Sequence, residues 1–383
     1  MPRNGGPAPI SELGMLVGRK APIPPPRPRL AAQDGPSEDG APLAIAPGGP
    51  SGRWSLVVGA KRGDVPAEAI PLAEILAARG RIADLAIRTP LVPLHVEGRA
   101  AGIWLKLENL QPIGSFKLRG AGNAMLRAGR AALAGGVYTA SAGNMALGVA
   151  WVARRLGVPC RVLVPDAAPR AKVEAVERLG AETVRLPFDE WWDVLVTHDC
   201  PGARGWFLHP VCDRGVIAGN GTIGVEIAED LPDVDAVIVP YGGGGLSCGI
   251  ASALRAVRPQ AKVYGSEVAT AAPLAASLAA GLPVVIERTP SFVDGIGGKA
   301  LLPPMWPLAR AVLAGSLVVS VEQTAAALRL LALRAYVVAE GAGATSVAAA
   351  LSGKAGQGKI VCVVSGGNID PDALSTILAG RIP

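Results

Sequence analysis

Lys117 has the surroundings of a reactive amine. It lies in the run Ser115-Phe116-Lys117-Leu118-Arg119-Gly120, after an alternating apolar and polar stretch at 103–108 that predicts a half-buried strand. Ser115 is predicted to cap a helix that carries Lys117 in its first turn. Because the positive end of a helix dipole disfavours an ammonium group, this position favours a neutral, nucleophilic amine. Taken alone, a lysine in a first turn is more often an ordinary solvated side chain.

Three further turns rich in glycine or polar residues also follow predicted strands. They are Ser141-Ala142-Gly143-Asn144, Gly242-Gly243-Gly244-Gly245 and Ser365-Gly366-Gly367-Asn368. In an open α/β sheet, turns at the carboxyl ends of strands line one crevice. Four consecutive glycines before a helix allow backbone N–H groups to surround a phosphate. A lysine beside such a turn, without a nucleotide-binding fingerprint, indicates pyridoxal phosphate held as a Schiff base.

Seven stretches of the sequence share a family pattern. They are Thr89-Pro90-Leu91, the run from Lys106 to Ala121, Ala140 to Asn144, Ile217 to Gly224, the four glycines, Glu340 to Ala344, and Ser365 to Asp370. In this order and at about this spacing, they resemble the threonine/serine dehydratase family, which also holds the serine racemases. The resemblance covers roughly residues 70–380. It implies the α/β fold of tryptophan synthase β-like, fold-type II enzymes, with two domains that each contain a mostly parallel twisted sheet flanked by helices.

The predicted organisation has three parts. Residues 1–52 are dense in proline, glycine and small polar residues, which predicts a disordered arm. The resemblance implies a large pyridoxal-phosphate-binding domain at 53–136 plus 212–383, and a small mobile domain at 137–211. Helices are predicted over 72–78, 81–87, 145–156, 171–179, 323–338 and 371–378. Strands are predicted over 54–58, 103–108, 137–139, 161–164, 182–186, 237–239, 262–265 and 360–364.

The resemblance also implies a role for each residue around the cofactor. Lys117 would hold pyridoxal phosphate and, once freed, remove the substrate Cα proton. Ser365 would face the pyridine nitrogen, and Asn144 would hydrogen-bond the 3-hydroxyl. The remaining predicted cofactor-binding residues are Phe116 beside the ring, Gly242, Gly243, Gly244 and Gly245 at the phosphate, and Glu340 in the network behind the ring. Alternatives stay open, since Asn144 also suits a helix cap, Phe116 a core position and the glycines a flexible turn.

The predicted substrate-binding residues are those of the turn before the helix at 145–156. The resemblance implies that Ser141, Ala142, Gly143 and Asn144 grip the substrate carboxylate, with Met145 at the substrate entrance. Two positions depart from the family pattern. Ala142 stands where serine racemases have a serine, which argues against racemisation. Met145 stands where a histidine is common, so the entrance is expected to differ.

The sequence argues against a metal site. The family's divalent-cation site uses a glutamate, present as Glu267, and an acid six residues later, where this chain has Pro273. His198, Cys200, His209 and Cys212 lie close together but at irregular spacing, so no structural zinc is expected. No metal is therefore predicted, although a monovalent cation near Glu267 is left open.

Composition narrows the class of protein. The net charge of +6 comes from basic residues scattered among acids, so no nucleic-acid partner is expected. The 5 cysteines lack a CxxC pattern, which favours a reducing, cytoplasmic compartment. The uncharged segment 268–286 is interrupted by proline and glycine, which predicts a buried helix and turn rather than a membrane span.

These features together predict a pyridoxal-phosphate-dependent ammonia-lyase. It would convert an L-3-hydroxy amino acid, such as threonine or serine, to a 2-oxo acid and ammonia by β-elimination. β-Replacement or racemisation on the same cofactor, and a catalytically silent amino-acid-binding paralogue, remain alternatives. The substrate side chain stays open, since a methylene is worth only about 1–3 kcal/mol in a pocket. Family likeness implies a homodimer.

Overall fold

The computed structural model of the protein describes residues 65–96 and 102–383. The predicted arm at 1–52 and the predicted strand at 54–58 lie outside the described residues. The described strands are β1 Leu91–Leu94, β2 Ile103–Leu107, β3 Val137–Ala140, β4 Cys160–Pro165, β5 Glu182–Leu186, β6 Trp206–Phe207, β7 Ala236–Pro240, β8 Lys262–Val268, β9 Gly315–Val319 and β10 Ile360–Val364. The helices are α1 Leu72–Arg81, α2 Lys117–Ala132, α3 Asn144–Leu156, α4 Arg170–Glu177, α5 Phe188–Thr197, α6 Arg214–Asp230, α7 Gly245–Val257, α8 Pro273–Ala280, α9 Trp306–Val312, α10 Val321–Leu330, α11 Gly341–Leu351 and α12 Pro371–Leu378.

The strands form two sheets. The larger has six strands in the order β1-β2-β10-β7-β8-β9, and the smaller has four in the order β5-β4-β3-β6. Every pairing is parallel except that of β1 with β2. Strands β7 and β10 are buried along their whole length, as expected for apolar runs covered by helices on both faces. The predicted fold class, mostly parallel sheets flanked by helices, is confirmed.

The strand order brings three of the predicted turns together. β2, β10 and β7 are neighbours in the larger sheet, and their carboxyl ends lead to the Lys117, Ser365 and glycine turns. The Ser141 turn follows β3 of the smaller sheet. All four strands of the smaller sheet fall between residues 137 and 211. The predicted division into a large and a small mobile domain stays a prediction.

Two predicted helices differ from the structure. The helix predicted at 81–87 is absent, because α1 ends at Arg81 and the Gln111 side chain bonds both the N–H and the carbonyl of Ile87, at 3.1 and 2.9 Å. The helix predicted at 323–338 begins earlier, where Ser320 and Gln323 form a capping box. It continues through one π turn at Leu331–Ala335 and ends at Tyr336. The chain then leads directly to Glu340.

No helix within residues 65–96 and 102–383 is long and apolar enough to cross a membrane. The uncharged segment at 268–286 contains only the short helix α8. Glu267 bonds the start of this helix, since its carboxylate accepts the N–H groups of Leu274 and Ala275, both at 2.8 Å. Ser316 Oγ adds a third hydrogen bond at 2.6 Å. The carboxylate that the family would offer to a cation therefore has protein partners on both oxygens.

Candidate active site

Lys117 is the first residue of α2, as the sequence predicts, but Ser115 does not cap the helix. Phe116 occupies the cap position without a side-chain hydrogen bond. Ser115 is instead buried and pairs with Gly366 in an isolated bridge. The Phe116 N–H donates to the Ser365 carbonyl at 3.0 Å. Backbone pairing thus ties the Lys117 turn to the Ser365 turn, and this pairing replaces the predicted cap.

The Lys117 amine lies partly buried between a carbonyl and an aromatic ring. Its Nζ donates a hydrogen bond to the Pro210 carbonyl at 3.3 Å and lies 5.2 Å from the centroid of the Phe116 ring. Burial lowers the pKa of Lys117 to about 8, against the Glu340 carboxylate, which acts to raise it. A substantial fraction of this amine is therefore neutral, and nucleophilic, in mildly alkaline solution.

A buried charge network anchors the helix that carries Lys117. Arg119, only 2% exposed, bonds both oxygens of Glu108 at 2.8 and 2.9 Å and both oxygens of Glu226 at 2.6 and 2.9 Å. Lys106 from β2 also reaches Glu226, at 2.7 Å. Burial acts to raise the pKa of Glu108, but the Arg119 guanidinium holds it below its ordinary value. The network links β2, α2 and α6, and Arg119 lies two residues after Lys117 in α2.

The sequence does not predict this network, although the charged residues of the stretch at 103–108 indicate that buried charges need partners. Lys106 and Glu108 are the charged positions of the alternating stretch at 103–108, and the prediction that this stretch is only half-buried is wrong, since both side chains are 0% exposed. Arg119 lies two residues from Lys117. Charged residues inside a buried strand are expected only where they are paired. The partner Glu226 lies more than 100 residues away in sequence, so the pairing itself could not be predicted.

The four glycines form a tight turn at the start of α7. Gly244 has φ +96°, a conformation that favours glycine. A Cβ on Gly243 would lie 2.5 Å from Val211 Cγ2, and one on Gly244 would lie 2.9 Å from the Tyr241 hydroxyl. Glycine is therefore required here for the close approach of neighbouring atoms. The turn leaves the N-terminus of a 13-residue helix behind it, which suits an anion such as a phosphate.

Unpaired buried polar atoms cluster at these turns. Five buried side-chain atoms have no hydrogen-bond partner within the described chain: Asn109 Oδ1, Ser115 Oγ, Asn220 Oδ1, Tyr241 Oη and Ser365 Oγ. Ser115 and Ser365 belong to the turns, and Tyr241 precedes the glycines. Asn220 Nδ2 bonds Gly245 O at 3.2 Å, and a Cβ on Gly367 would lie 3.3 Å from Asn109 Cβ. Because buried polar groups are normally satisfied, this clustering indicates a site built for a polar ligand. The Ser365 hydroxyl, free to bond a ring nitrogen, and the glycine turn fit pyridoxal phosphate.

Asn144 and Glu340 connect the smaller sheet with the Ser365 turn. Asn144 Nδ2 donates to both oxygens of Glu340, at 2.9 and 3.0 Å, and Asn144 Oδ1 accepts from Asn368 Nδ2 at 2.8 Å. Gly143, rather than Asn144, occupies the cap position of α3, so the alternative role of Asn144 as a helix cap is not observed. Burial raises the pKa of Glu340 to about 7, against the Asn144 hydrogen bond, which lowers it.

The remaining predicted substrate residues begin α3 or lie just before it. The Gly143 N–H donates to Ser141 Oγ at 3.2 Å, and the Ser141 N–H donates to the Leu163 carbonyl at 3.0 Å. Ala142 is partly buried against the core of the smaller sheet. Met145 is 2% exposed and packs in a core cluster. Its predicted place at the substrate entrance stays a prediction.

None of the His, Cys, Asp and Glu residues in the described chain form a group that could hold a metal ion. His209 is engaged otherwise. Its Nδ1 accepts the N–H groups of Val211 and Cys212 at 2.9 and 2.7 Å, and its Nε2 lies 3.1 Å from the Leu195 carbonyl. The histidine is thus part of the chain segment that carries the Pro210 carbonyl.

The proton held by Glu340 predicts a pH-dependent effect on stability. The folded protein binds this proton more tightly than the unfolded chain, because the folded pKa is raised from 4.5 to about 7. Its contribution is present below pH 4.5 and is lost as the pH rises to about 7. The free energy of unfolding of the wild type, minus that of Glu340→Gln, should therefore fall across this window. Urea unfolding of the cofactor-free proteins measures it, and a difference independent of pH would contradict the prediction.

Comparison with known proteins points to one family and one fold. The family model described as pyridoxal-phosphate dependent enzyme matches residues 82–366. The L-threonine ammonia-lyase of Geobacter sulfurreducens is 41% identical over 316 residues, which cover 81% of this chain and 78% of that protein. The processed form of threonine deaminase isoform 2 from Solanum lycopersicum has a TM-score of 0.71 and 32% identity, covering 81% of this chain and 92% of that chain. Maize serine racemase has a TM-score of 0.73 and 30% identity, covering 82% of this chain and 98% of that chain.

Proposed function

Because the chain belongs to the pyridoxal-phosphate-dependent enzyme family, we propose that it is an ammonia-lyase acting on an L-3-hydroxy amino acid, with L-threonine as the first candidate. One observation carries the proposal: a partly buried amine, a glycine turn and an unpaired hydroxyl lie at the carboxyl ends of β2, β7 and β10. The likeness to an L-threonine ammonia-lyase supports this reaction over other uses of the cofactor.

The proposed roles of the cofactor-binding residues follow from their positions. When bound, pyridoxal phosphate supplies an electron sink for the electrons of the broken Cα–H bond. Lys117 Nζ holds the cofactor and, once free, accepts the Cα proton as a neutral amine. The N–H groups of Gly242, Gly243, Gly244 and Gly245, and the N-terminus of α7, hold the phosphate. Ser365 Oγ, which has no hydrogen-bond partner within the described chain, would bond the ring nitrogen, and Phe116 would pack beside the ring.

A serine at the ring nitrogen favours elimination over transamination. A neutral hydroxyl does not hold the nitrogen protonated as a carboxylate would, so negative charge at Cα is stabilised only weakly. Prompt loss of the β-hydroxyl relieves that charge. The Cα proton and the β-hydroxyl would together leave as one water, one water would be consumed when ammonia is released, and a 2-oxo acid would result. Asn144, which Glu340 holds through hydrogen bonds of 2.9 and 3.0 Å, would bond the 3-hydroxyl of the cofactor.

The substrate carboxylate would bind the turn before α3. This turn offers the Ser141 hydroxyl, whose oxygen accepts the Gly143 N–H, and the backbone N–H of Asn144 at a helix N-terminus, which favours an anion. Ala142 offers no proton donor or acceptor at the position where a racemase would need one. Racemisation is nevertheless the second candidate function, since maize serine racemase shares the fold at 30% identity.

The test of the proposed function is 2-oxo acid release from the purified enzyme with cofactor. A panel should contain L- and D-threonine, L- and D-serine, and a bulkier L-3-hydroxy amino acid. Release from L-threonine or L-serine is the expected result. D-serine formed from L-serine would establish racemisation, and cofactor binding without release from any substrate would contradict the lyase.

The assembly and location of the enzyme are further parts of the proposal. A homodimer is inferred from family likeness, and a cytoplasmic location from the 5 cysteines without a CxxC pattern. Light scattering on the eluted peak of a size-exclusion column tests the dimer, and a monomeric mass at micromolar concentration would contradict it.

Ser365→Ala separates the cofactor role of this hydroxyl from a structural one. The Oγ atom lacks a protein partner within residues 65–96 and 102–383, so its removal should leave the free energy of unfolding of the cofactor-free protein unchanged or slightly higher. The affinity for pyridoxal phosphate should fall by about 5- to 20-fold, the loss of one hydrogen bond to the ring. Ser346→Ala is the matched control, because Ser346 Oγ is buried but bonds Gly343 O and Val363 O, at 2.9 and 3.0 Å. The control should lose stability rather than cofactor affinity, and the same pattern in Ser365→Ala would contradict the prediction.

A further inference from the structure

The segment from His209 to Cys212 connects β6 of the smaller sheet with α6. His209 is 4% exposed, and its ring makes three hydrogen bonds to backbone groups. Since Nδ1 accepts two N–H groups, from Val211 and Cys212, the proton of the neutral ring lies on Nε2 and is donated to the Leu195 carbonyl in α5. The His209 ring therefore bonds the backbone of its own turn through Nδ1 and the helix α5 through Nε2.

The same turn touches two parts of the proposed cofactor site. The Pro210 carbonyl accepts the hydrogen bond from Lys117 Nζ at 3.3 Å. Val211 packs on the glycine turn so closely that a Cβ on Gly243 would lie 2.5 Å from its Cγ2 and one on Gly245 would lie 3.3 Å from its carbonyl. Pro210 thus contacts the Lys117 amine and Val211 contacts the glycine turn. These two parts of the site follow different strands of the larger sheet, β2 and β7.

We propose that His209 is a positioning residue, which holds the Pro210–Val211 turn so that Pro210 orients the free Lys117 amine and Val211 braces the glycine turn. The inference rests on the proposed function for the identity of the group that Lys117 and the glycines hold. An N–H donated to the Pro210 carbonyl restricts rotation of the amine and leaves its lone pair available to accept a proton. A mispositioned turn would release both contacts together.

The His209 ring keeps its three hydrogen bonds only while it is neutral. A protonated ring would lose the acceptor at Nδ1, because both nitrogens would then donate. Burial lowers the pKa of His209 to about 3, and the neighbouring His198 and Lys117 act in the same direction, while the Leu195 carbonyl opposes them. The neutral ring therefore persists throughout the physiological pH range. An apolar residue here would leave two buried N–H groups without an acceptor.

Two substitutions separate positioning from general structural support. His209→Asn keeps an acceptor oxygen near the position of Nδ1, whereas His209→Leu keeps the volume and removes the acceptor. His198→Asn is the matched control, since the His198 ring contacts that of His209 at a tilted angle of 51°, with a centroid distance of 4.5 Å, but makes no hydrogen bond to the turn within the described chain. His198 has φ +62°, which asparagine tolerates. Each protein is studied without cofactor and after reloading.

The measurements are the dissociation constant of pyridoxal phosphate, the rate at which trinitrobenzenesulfonate modifies Lys117 in the cofactor-free protein, and urea unfolding. Pyridoxal phosphate should bind His209→Leu about 10-fold more weakly, and Lys117 modification in this variant should change by about 3-fold or more. His209→Asn should restore both quantities to within about 3-fold of the wild type, and His198→Asn should match the wild type. If His209→Leu does not fold, Val211→Ala replaces it, with weaker cofactor binding and an unchanged rate of Lys117 modification expected.

Either of two results would overturn the inference. The first is a His209→Leu protein with wild-type cofactor affinity and wild-type Lys117 modification or, where Val211→Ala replaces it, a Val211→Ala protein with wild-type cofactor affinity. The second is a loss of cofactor affinity in His209→Asn and His209→Leu that simply follows their loss of unfolding free energy. Neither readout depends on turnover. A wild-type enzyme that releases no 2-oxo acid would defeat the proposed lyase function while leaving this test intact.

Discussion

Lys117→Ala should abolish turnover, with 2-oxo acid release reduced by at least about 10⁴-fold. The substitution removes both the amine proposed to hold the cofactor and the base proposed to accept the Cα proton. The measurement is the initial rate of 2-oxo acid release from L-threonine with saturating cofactor. The absorbance band of bound pyridoxal phosphate should also be lost or shifted.

The fold should survive this substitution. The folded protein lowers the pKa of Lys117 to about 8, so burial disfavours the ammonium form below that pH. Replacing the group by alanine removes this unfavourable term, so the free energy of unfolding at pH 7 should be unchanged or higher. Lys359→Ala is the matched control, since Lys359 pairs with Asp233 at 2.5 Å on the surface, and it should keep full activity. Near-normal turnover in Lys117→Ala would defeat both the assigned residue and the mechanism.

Arg119→Met should destabilise the protein by about 3–5 kcal/mol. Methionine retains much of the side-chain volume, but the change leaves Glu108, 0% exposed, and Glu226, 4% exposed, without their bidentate partner. Lys106 can compensate only part of the charge, because its ion pairs are with Glu226 and Asp230, at 2.7 and 3.8 Å, and not with Glu108. Urea unfolding of the cofactor-free protein at neutral pH measures the effect.

Arg88→Met is the matched control for the buried network. Arg88 also pairs with two carboxylates, Glu229 and Asp230, but the side chains are 43%, 42% and 28% exposed. Exposed pairs contribute little, so this variant should lose less than about 1 kcal/mol. Equal losses of unfolding free energy in Arg88→Met and Arg119→Met would show that burial does not determine how much these ion pairs contribute to stability. A large loss of unfolding free energy in Arg119→Met alone would show that the buried network stabilises α2, the helix that carries Lys117.

The sequence could predict much of the fold because local patterns agree with the tertiary structure. Strands such as Glu182–Leu186 and Ile360–Val364, and the helix Pro371–Leu378, lie where alternation, apolar runs and turn residues predict them. The family resemblance, the dependence on pyridoxal phosphate and the fold class are confirmed by the comparisons. The exceptions are segments with a long-range partner. The backbone of Ile87 bonds Gln111 instead of continuing a helix, and Ser115 pairs with Gly366 instead of capping one.

The chemistry of the proposed site was encoded in residue types and spacing, whereas its arrangement was decided by tertiary contacts. Lys117, the four glycines and Ser365 each stand at a strand end, and parallel strands place such ends at one edge of a sheet. No local pattern showed that Arg119 would bond Glu226, that Asn144 would bond Glu340, or that the His209 turn would bring a carbonyl to Lys117. These contacts join residues 93 to 196 positions apart. Such hydrogen bonds depend on the distances between helices and strands, and the packing of the two sheets sets those distances. Local sequence patterns do not predict them.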